Sequence, residues 1–242
     1  MSTLAKKGII DMLSLNKVTS FYSKTPILQD ISLKVEEGKC LCVLGRNGVG
    51  KTTLMQTIMG LTTRATGEIR INGTPMDGSI TAKRAIAGLG YVPQGRRIFG
   101  KFTVRENIKL GTFARTDGSD KIPDLCLELF PYLADNLDKR AGMLSGGQQQ
   151  QLAIARALAT DPKILLLDEP TEGIQPNIVS DIQDALLRLN REFGITLVLT
   201  EQHIKIAKEM SDTFIIMDVG RVVKRGESKD LTQEIVDEYL TI

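Results

Sequence analysis

No tryptophan, one histidine and three cysteines occur among the 242 residues, and aromatic side chains make up only 5%. With a single imidazole in the chain and the thiols read as core residues, no zinc centre is expected. Long apolar runs are missing too, since none approaches the roughly 20 residues that a membrane helix needs. The first ten residues, MSTLAKKGII, hold two lysines but no apolar stretch of leader length, so no secretory leader is expected. The chain is expected to be soluble by itself, with any membrane work passing through a partner. An excess of one charge is also absent. A net charge of +2 without a Lys/Arg block gives no electrostatic case for a nucleic-acid partner.

What is present is an even spread of 22 glycines and 8 prolines over a chain that is 42% hydrophobic, enough for one large α/β domain or two small ones. Residues 9–38 read as short strands in an antiparallel ribbon. KCLCVLG is a compact strand that puts Cys40 and Cys42 on one face as core thiols. A glycine-rich turn and a helix over about 51–59 follow it. From 103 to 159 the pattern is mainly helical, as in TVRENIKL, PDLCLELFPYLADNL and a helix beginning after LSGG. KILLLDEP, NIVSDIQDALLRLNREFG, ITLVLTE and HIKIAKEMSD then alternate strand and helix, which predicts a mainly parallel sheet with helices on its faces. TFIIMDVGRVVKRG reads as a hairpin around Asp218 and Gly220.

Between the first buried strand and its helix lies GRNGVGKTT. Gly45, Gly50, Lys51 and Thr52 form a G-x-x-x-x-G-K-[ST] frame around Arg46, Asn47 and Gly48, and Thr53 follows. Glycines let successive backbone N–H groups turn inward onto phosphate oxygens, and the helix adds its positive end. Lys51 is expected to reach the β- and γ-phosphates, and the Thr52 hydroxyl to bind Mg²⁺. ILLLDEP places Asp168 and Glu169 at the carboxyl end of a second buried strand, the edge where phosphate loops open. Asp168 suits Mg²⁺, and Glu169 suits activation of water. These two motifs alone leave hydrolysis and kinase chemistry open.

LSGGQQQQLAIARAL starts with a helix cap at Ser145, followed by Gly146 and Gly147 with free N–H groups, and Gln148 opens an amphipathic helix. This is a second anion-binding half-site in a chain that already has one. The two halves are expected to complete each other in a second copy.

Together LSGGQ, the phosphate loop and LLLDEP resemble the nucleotide-binding subunit of ABC transporters, over essentially the whole chain. The resemblance implies a P-loop NTPase core with a mainly parallel sheet, an N-terminal antiparallel β subdomain and a helical subdomain. It implies a single domain over 9–242, with the core in 9–94 plus 160–242 and the signature subdomain in 95–159. Two cassettes would stack head to tail, each ATP lying between the phosphate loop of one and the LSGGQ of the other. Tyr22 would stack on adenine, unless it is a core tyrosine. Gln94 in YVPQGRRIF would touch Mg²⁺ and the attacking water, and Ser145, Gly146, Gly147 and Gln148 would clamp the opposing γ-phosphate. Asp168 would be the metal carboxylate and Glu169 the base.

The chain departs from the commonest pattern twice. The slot of the γ-phosphate switch histidine holds Gln202, with His203 one residue later, and either could act. Gln175 stands where the family usually has an aspartate at the dimer interface. The TEQ and EPTEGIQP wording is similar to the branch serving branched-chain amino acid and urea or amide importers. Within that branch, LSGGQQQQ and EPTEGIQP most resemble the second ATPase subunit of urea importers. The implied partners are a second ATPase subunit, identical or not, and integral permease subunits at the cytoplasmic face of the membrane, with a solute-binding protein beyond them. Import of urea is the main expectation. The same engine for branched-chain amino acids or short amides is the alternative, with a non-transport ABC ATPase as a further one.

Overall fold

The computed structural model describes residues 11–240. The N-terminal stretch MSTLAKKGII and residues 241 and 242, parts of which were assigned to the domain from sequence, lie outside the described residues. The chain opens with β1 (Asp11–Tyr22) and β2 (Thr25–Glu36), then β3 (Cys40–Leu44), α1 (Lys51–Met59), β4 (Arg64–Ile71) and a two-residue β5 (Thr74–Pro75). Next come α2 (Thr81–Ile86), β6 (Leu89–Val92), α3 (Val104–Thr112), α4 (Asp124–Glu128), α5 (Pro131–Asp135) and α6 (Gly146–Leu158). The last third alternates: β7 (Ile164–Asp168), α7 (Pro176–Arg191), β8 (Thr196–Glu201), α8 (Ile204–Met210), β9 (Thr213–Asp218), β10 (Arg221–Glu227) and α9 (Gln233–Tyr239).

Two sheets form, as the sequence predicts. The smaller is antiparallel with order β2-β1-β4-β5, and the larger runs β10-β9-β3-β8-β7-β6. All neighbours in the larger sheet are parallel except the hairpin pair β9 and β10. That hairpin turns through Val219 and Gly220, both with positive φ, the tight turn that suits a twisted antiparallel pair.

The central strands are buried on both faces, which is why they read as unbroken apolar runs. Every residue of β3 is buried. Alternation along that strand divides two cores: Cys40, Cys42 and Leu44 join the helical layer with Leu165, Leu167 and Ile154. Leu41 and Val43 face the antiparallel sheet with Leu15, Ile31 and Leu54. The two thiols therefore share a face.

In the helical segment, Thr103 caps α3 through a reciprocal capping box with Glu106. Helices α3 and α6 approach until a Cβ at Gly111 would stand 2.1 Å from the Arg156 carbonyl oxygen. Only glycine fits that crossing. One expectation is corrected here. Helix α6 begins at Gly146, not after the two glycines, because Ser145 is its cap and Gln148 is the third helical residue that closes the box.

Parallel register fixes the site. Leu44 lies opposite Glu201, and Asp168 opposite Thr200, so the ends of β3, β8 and β7 open side by side at one edge of the sheet.

Candidate nucleotide site

The loop leaving β3 turns back through Gly45, Gly48 and Gly50, all at positive φ. A Cβ at Gly45 would stand 2.7 Å from the Met217 carbonyl oxygen, so no larger residue fits the turn. Helix α1 starts directly after Gly50, with no acidic residue in its first turn. Its positive end is thus open to an anion. Ile27, Asn47, Gly48, Gly50, Lys51, Thr52, Thr53, Gln94 and Glu169 line a cleft of about 320 Å³ at this point.

Lys51 is buried at 4% exposure. Its Nζ donates to the carbonyl oxygens of Gly45 at 2.7 Å and Arg46 at 3.0 Å, and pairs with Glu169 Oε1 at 3.1 Å. Glu169 takes a left-handed backbone conformation, φ 48°, just past the end of β7. Its N–H donates to Thr200 Oγ1 at 2.8 Å. Its carboxylate accepts from Gln202 Nε2 at 3.1 Å and Gln94 Nε2 at 3.2 Å. Gln94 also donates to Glu172 at 2.8 Å, and Gln202 to Asn47 Oδ1 at 2.9 Å. One carboxylate thus joins the phosphate loop, the strand end at Gln94 and the turn after β8.

Asp168 accepts from Thr200 Oγ1 at 2.9 Å, while its Oδ2 is buried with no hydrogen-bond partner. Burial raises its carboxyl above the ordinary range, opposed by the Thr200 hydrogen bond, the neighbouring Thr52 hydroxyl and the charge of Lys51. An orphaned buried carboxylate oxygen calls for a ligand. Carboxylate, hydroxyl and amide oxygens from Asp168, Thr52 and Gln94 are the hard donors Mg²⁺ prefers, so these residues fit that ion. Among the described residues no group of three or more His, Cys, Asp or Glu side chains could hold a metal.

The other sequence-derived residues stand apart from this cluster. No hydrogen bond or ion pair among the described residues joins Ser145, Gly146, Gly147 or Gln148 to it. Ser145 Oγ accepts from the Gln148 N–H at 3.3 Å, and Gln148 Oε1 from the Ser145 N–H at 2.9 Å. Gly147 is buried, where a Cβ would meet Ile178 Cγ2 at 2.5 Å, and the Arg96 guanidinium lies over Gly146. Tyr22 is exposed at the end of β1 and donates to Gln56 of α1. His203 is exposed before α8 and Gln175 is exposed before α7, neither making a side-chain capping bond.

Sequence reasoning missed Thr200, Glu201 and Thr171. Thr200 Oγ1 accepts from the backbone of Glu169 and donates to Asp168. Glu201 is 2% exposed and accepts from Thr171 Oγ1 at 2.7 Å and from the Gln202 N–H at 3.2 Å. The signal was the polar pair ending the apolar strand ITLVLTE, next to the acidic pair ending ILLLDE.

A glycine-turned phosphate loop facing a buried Asp–Glu pair at the edge of a parallel sheet defines a P-loop ATPase. Residues 28–172 match the ABC transporter family. The chain is 38% identical over 232 residues to the high-affinity branched-chain amino acid transport ATP-binding protein BraG of Pseudomonas aeruginosa, covering 95% of this chain and 99% of that one. It is 34% identical to the probable branched-chain amino acid transport ATP-binding protein LivF of Archaeoglobus fulgidus, covering 92% and 94%. Among solved structures, cbiO1 from Clostridium perfringens, part of the ABC transporter complex cbiONQ, superposes with a TM-score of 0.78 at 29% identity, over 96% of each chain. A dimeric ATP-binding cassette in a post-hydrolysis state, bound to ADP and Pi, superposes with a TM-score of 0.78 at 29% identity, over 90% of this chain and 99% of that one. This chain belongs to the ABC transporter family, as an ATP-binding cassette ATPase.

Proposed function

We propose that the chain energises import of a small amino acid or amide, working as one of two cassettes beneath a membrane permease. The observation that carries the ATPase half is the buried Lys51–Glu169 pair beside the orphaned Asp168 oxygen. ATP phosphates displace the Glu169 carboxylate from Lys51 and settle on the loop N–H groups. Thr52, Asp168 and Gln94 would hold Mg²⁺, which would supply charge neutralisation at the phosphate oxygens. Glu169 then accepts a proton from water as the water oxygen attacks the γ-phosphorus and the bond to ADP breaks. Gln202, already on Glu169 and Asn47, senses the γ-phosphate through its amide, whereas among the described residues no side-chain hydrogen bond of His203 reaches this cluster.

The Ser145–Gln148 helix start is reserved for the nucleotide of a second cassette, identical or homologous, since it touches nothing in its own nucleotide cluster. The solved relative that is dimeric with ADP and Pi supports this arrangement. Residues 95–159 act as the helical signature subdomain, with 9–94 and 160–242 as the core. No helix among the described residues is long and apolar enough to cross a membrane. Attachment at the cytoplasmic face through permease subunits, fed by a solute-binding protein, accords with that.

For the cargo, the branched-chain amino acid names of two full-length relatives weigh more than motif wording. Branched-chain amino acids are therefore the first reading. Urea is the second, favoured by LSGGQQQQ and EPTEGIQP. Vesicles carrying the assembled transporter decide between them when offered labelled leucine, urea and acetamide. ATP-dependent uptake of leucine alone supports the first, and of urea alone the second. Uptake of none of them removes the import reading.

A further inference from the structure

Glu201 is a buried carboxylate to which the reaction described so far gives no task. It ends β8 opposite Leu44, the last residue before the phosphate loop. It is 2% exposed, and among the described residues no lysine or arginine pairs with it. A carboxylate placed there is a poor device for stability, because an apolar side chain would fill the same space without the desolvation cost.

Its partners say what it does. One oxygen accepts from Thr171 Oγ1 at 2.7 Å, on the turn that follows Glu169. The other accepts from the Gln202 backbone N–H at 3.2 Å. The side chain of that same Gln202 reaches Glu169 at 3.1 Å and Asn47 at 2.9 Å. Glu201 thus ties together the two turns that carry the base and the γ-phosphate sensor, and it fixes the peptide from which the sensor projects.

We propose that Glu201 is a positioning residue for ATP hydrolysis, holding Gln202 on Glu169 by clamping the Gln202 peptide to Thr171. The assignment rests on the roles of Glu169 and Gln202 given above. It acts after nucleotide binding, since Glu201 touches neither Lys51 nor the loop N–H groups. A glutamine at this position keeps both links, its oxygen accepting from the peptide and its amide donating to the Thr171 hydroxyl.

The test is single-turnover ATP hydrolysis by the chain assembled with its partner cassette and permease, with affinity for a non-hydrolysable ATP analogue and the melting temperature measured alongside. E201A should slow hydrolysis about 10- to 100-fold while analogue affinity stays within about threefold of the starting protein. E201Q should recover most of the rate. In a Q202A background, E201A should slow the reaction no further, because both changes remove one unit. A purely structural role would not produce that non-additivity. The inference is overturned by an E201A rate equal to wild type, by full additivity with Q202A, or by equal loss of analogue affinity in E201A and E201Q. If E201A does not fold, T171V removes the same clamp from the other side, and a wild-type rate there overturns it. A wild-type rate in Q202A instead overturns the underlying reading of Gln202, whereas slow Q202A with fast E201A sinks the positioning role alone.

Discussion

Lys51 and Glu169 are partners of each other, Nζ to Oε1 at 3.1 Å, with both side chains almost fully buried. The cation that meets phosphate and the carboxylate that meets water are therefore in competition until nucleotide arrives. Replacing Glu169 by glutamine removes the charge that phosphate must displace. E169Q should bind ATP several-fold tighter, seen as a lower dissociation constant by fluorescence titration. Its turnover should fall at least about 100-fold, the scale of a lost general base. Weaker ATP binding in E169Q would show that the pair helps the site rather than blocking it.

Asp168 carries the second prediction through its orphaned Oδ2. With ATP present, adding Mg²⁺ should raise the melting temperature, because a ligand bound only to the folded state adds stability by mass action. Removing the ion with chelator should reverse the gain. In D168N the Mg²⁺-dependent part should vanish while the ATP-dependent part, carried by Lys51 and the loop N–H groups, persists. An unchanged Mg²⁺ increment in D168N would take the ion away from this carboxylate.

The reach of the sequence is visible in these same residues. Gly45 to Thr52 and Asp168–Glu169 are legible because each motif is a contiguous run whose chemistry depends on backbone turns and strand ends. The two-sheet fold follows from strands such as CLCVL and ILLLD, apolar at every position before the last. Contacts between side chains distant in sequence are not legible. Nothing local says that Gln202 lies on Glu169, or that Glu201 reaches Thr171, since strand order at the sheet edge creates both meetings. The start of α6 differs from its sequence expectation for another reason. Two glycines are poor helix formers, yet the Ser145–Gln148 box outweighs them.

Gly111 gives a prediction about stability rather than catalysis. A methyl group there would stand 2.1 Å from the Arg156 carbonyl oxygen and 2.9 Å from Ala159 Cβ. Backbone cannot yield as a side-chain tip can, so α3 and α6 must separate. G111A should lose about 3 kcal/mol, the upper end for overpacking in a filled core, read from the urea midpoint. A midpoint within error of wild type would mean the two helices slide apart freely.

The buried thiols contribute to a loss of stability at alkaline pH. Burial pushes Cys126 up to about 12 from an ordinary value of 9.0, and Cys40 and Cys42 are raised by burial as well. A raised acid holds its proton longer in the folded chain, so between these values the unfolded state binds fewer protons. Stability is then independent of Cys126 below about pH 9 and declines above it, at about 1.4 kcal/mol per pH unit, until the folded thiol also ionises. Urea midpoints near pH 8 and pH 10.5 should show a steeper decline for wild type than for C126A, whose offset from lost packing does not vary with pH. Iodoacetamide should leave all three thiols unmodified in the folded chain near pH 8, because neutral buried thiols are poor nucleophiles. Equal alkaline slopes in the two proteins would place the lost stability on other groups.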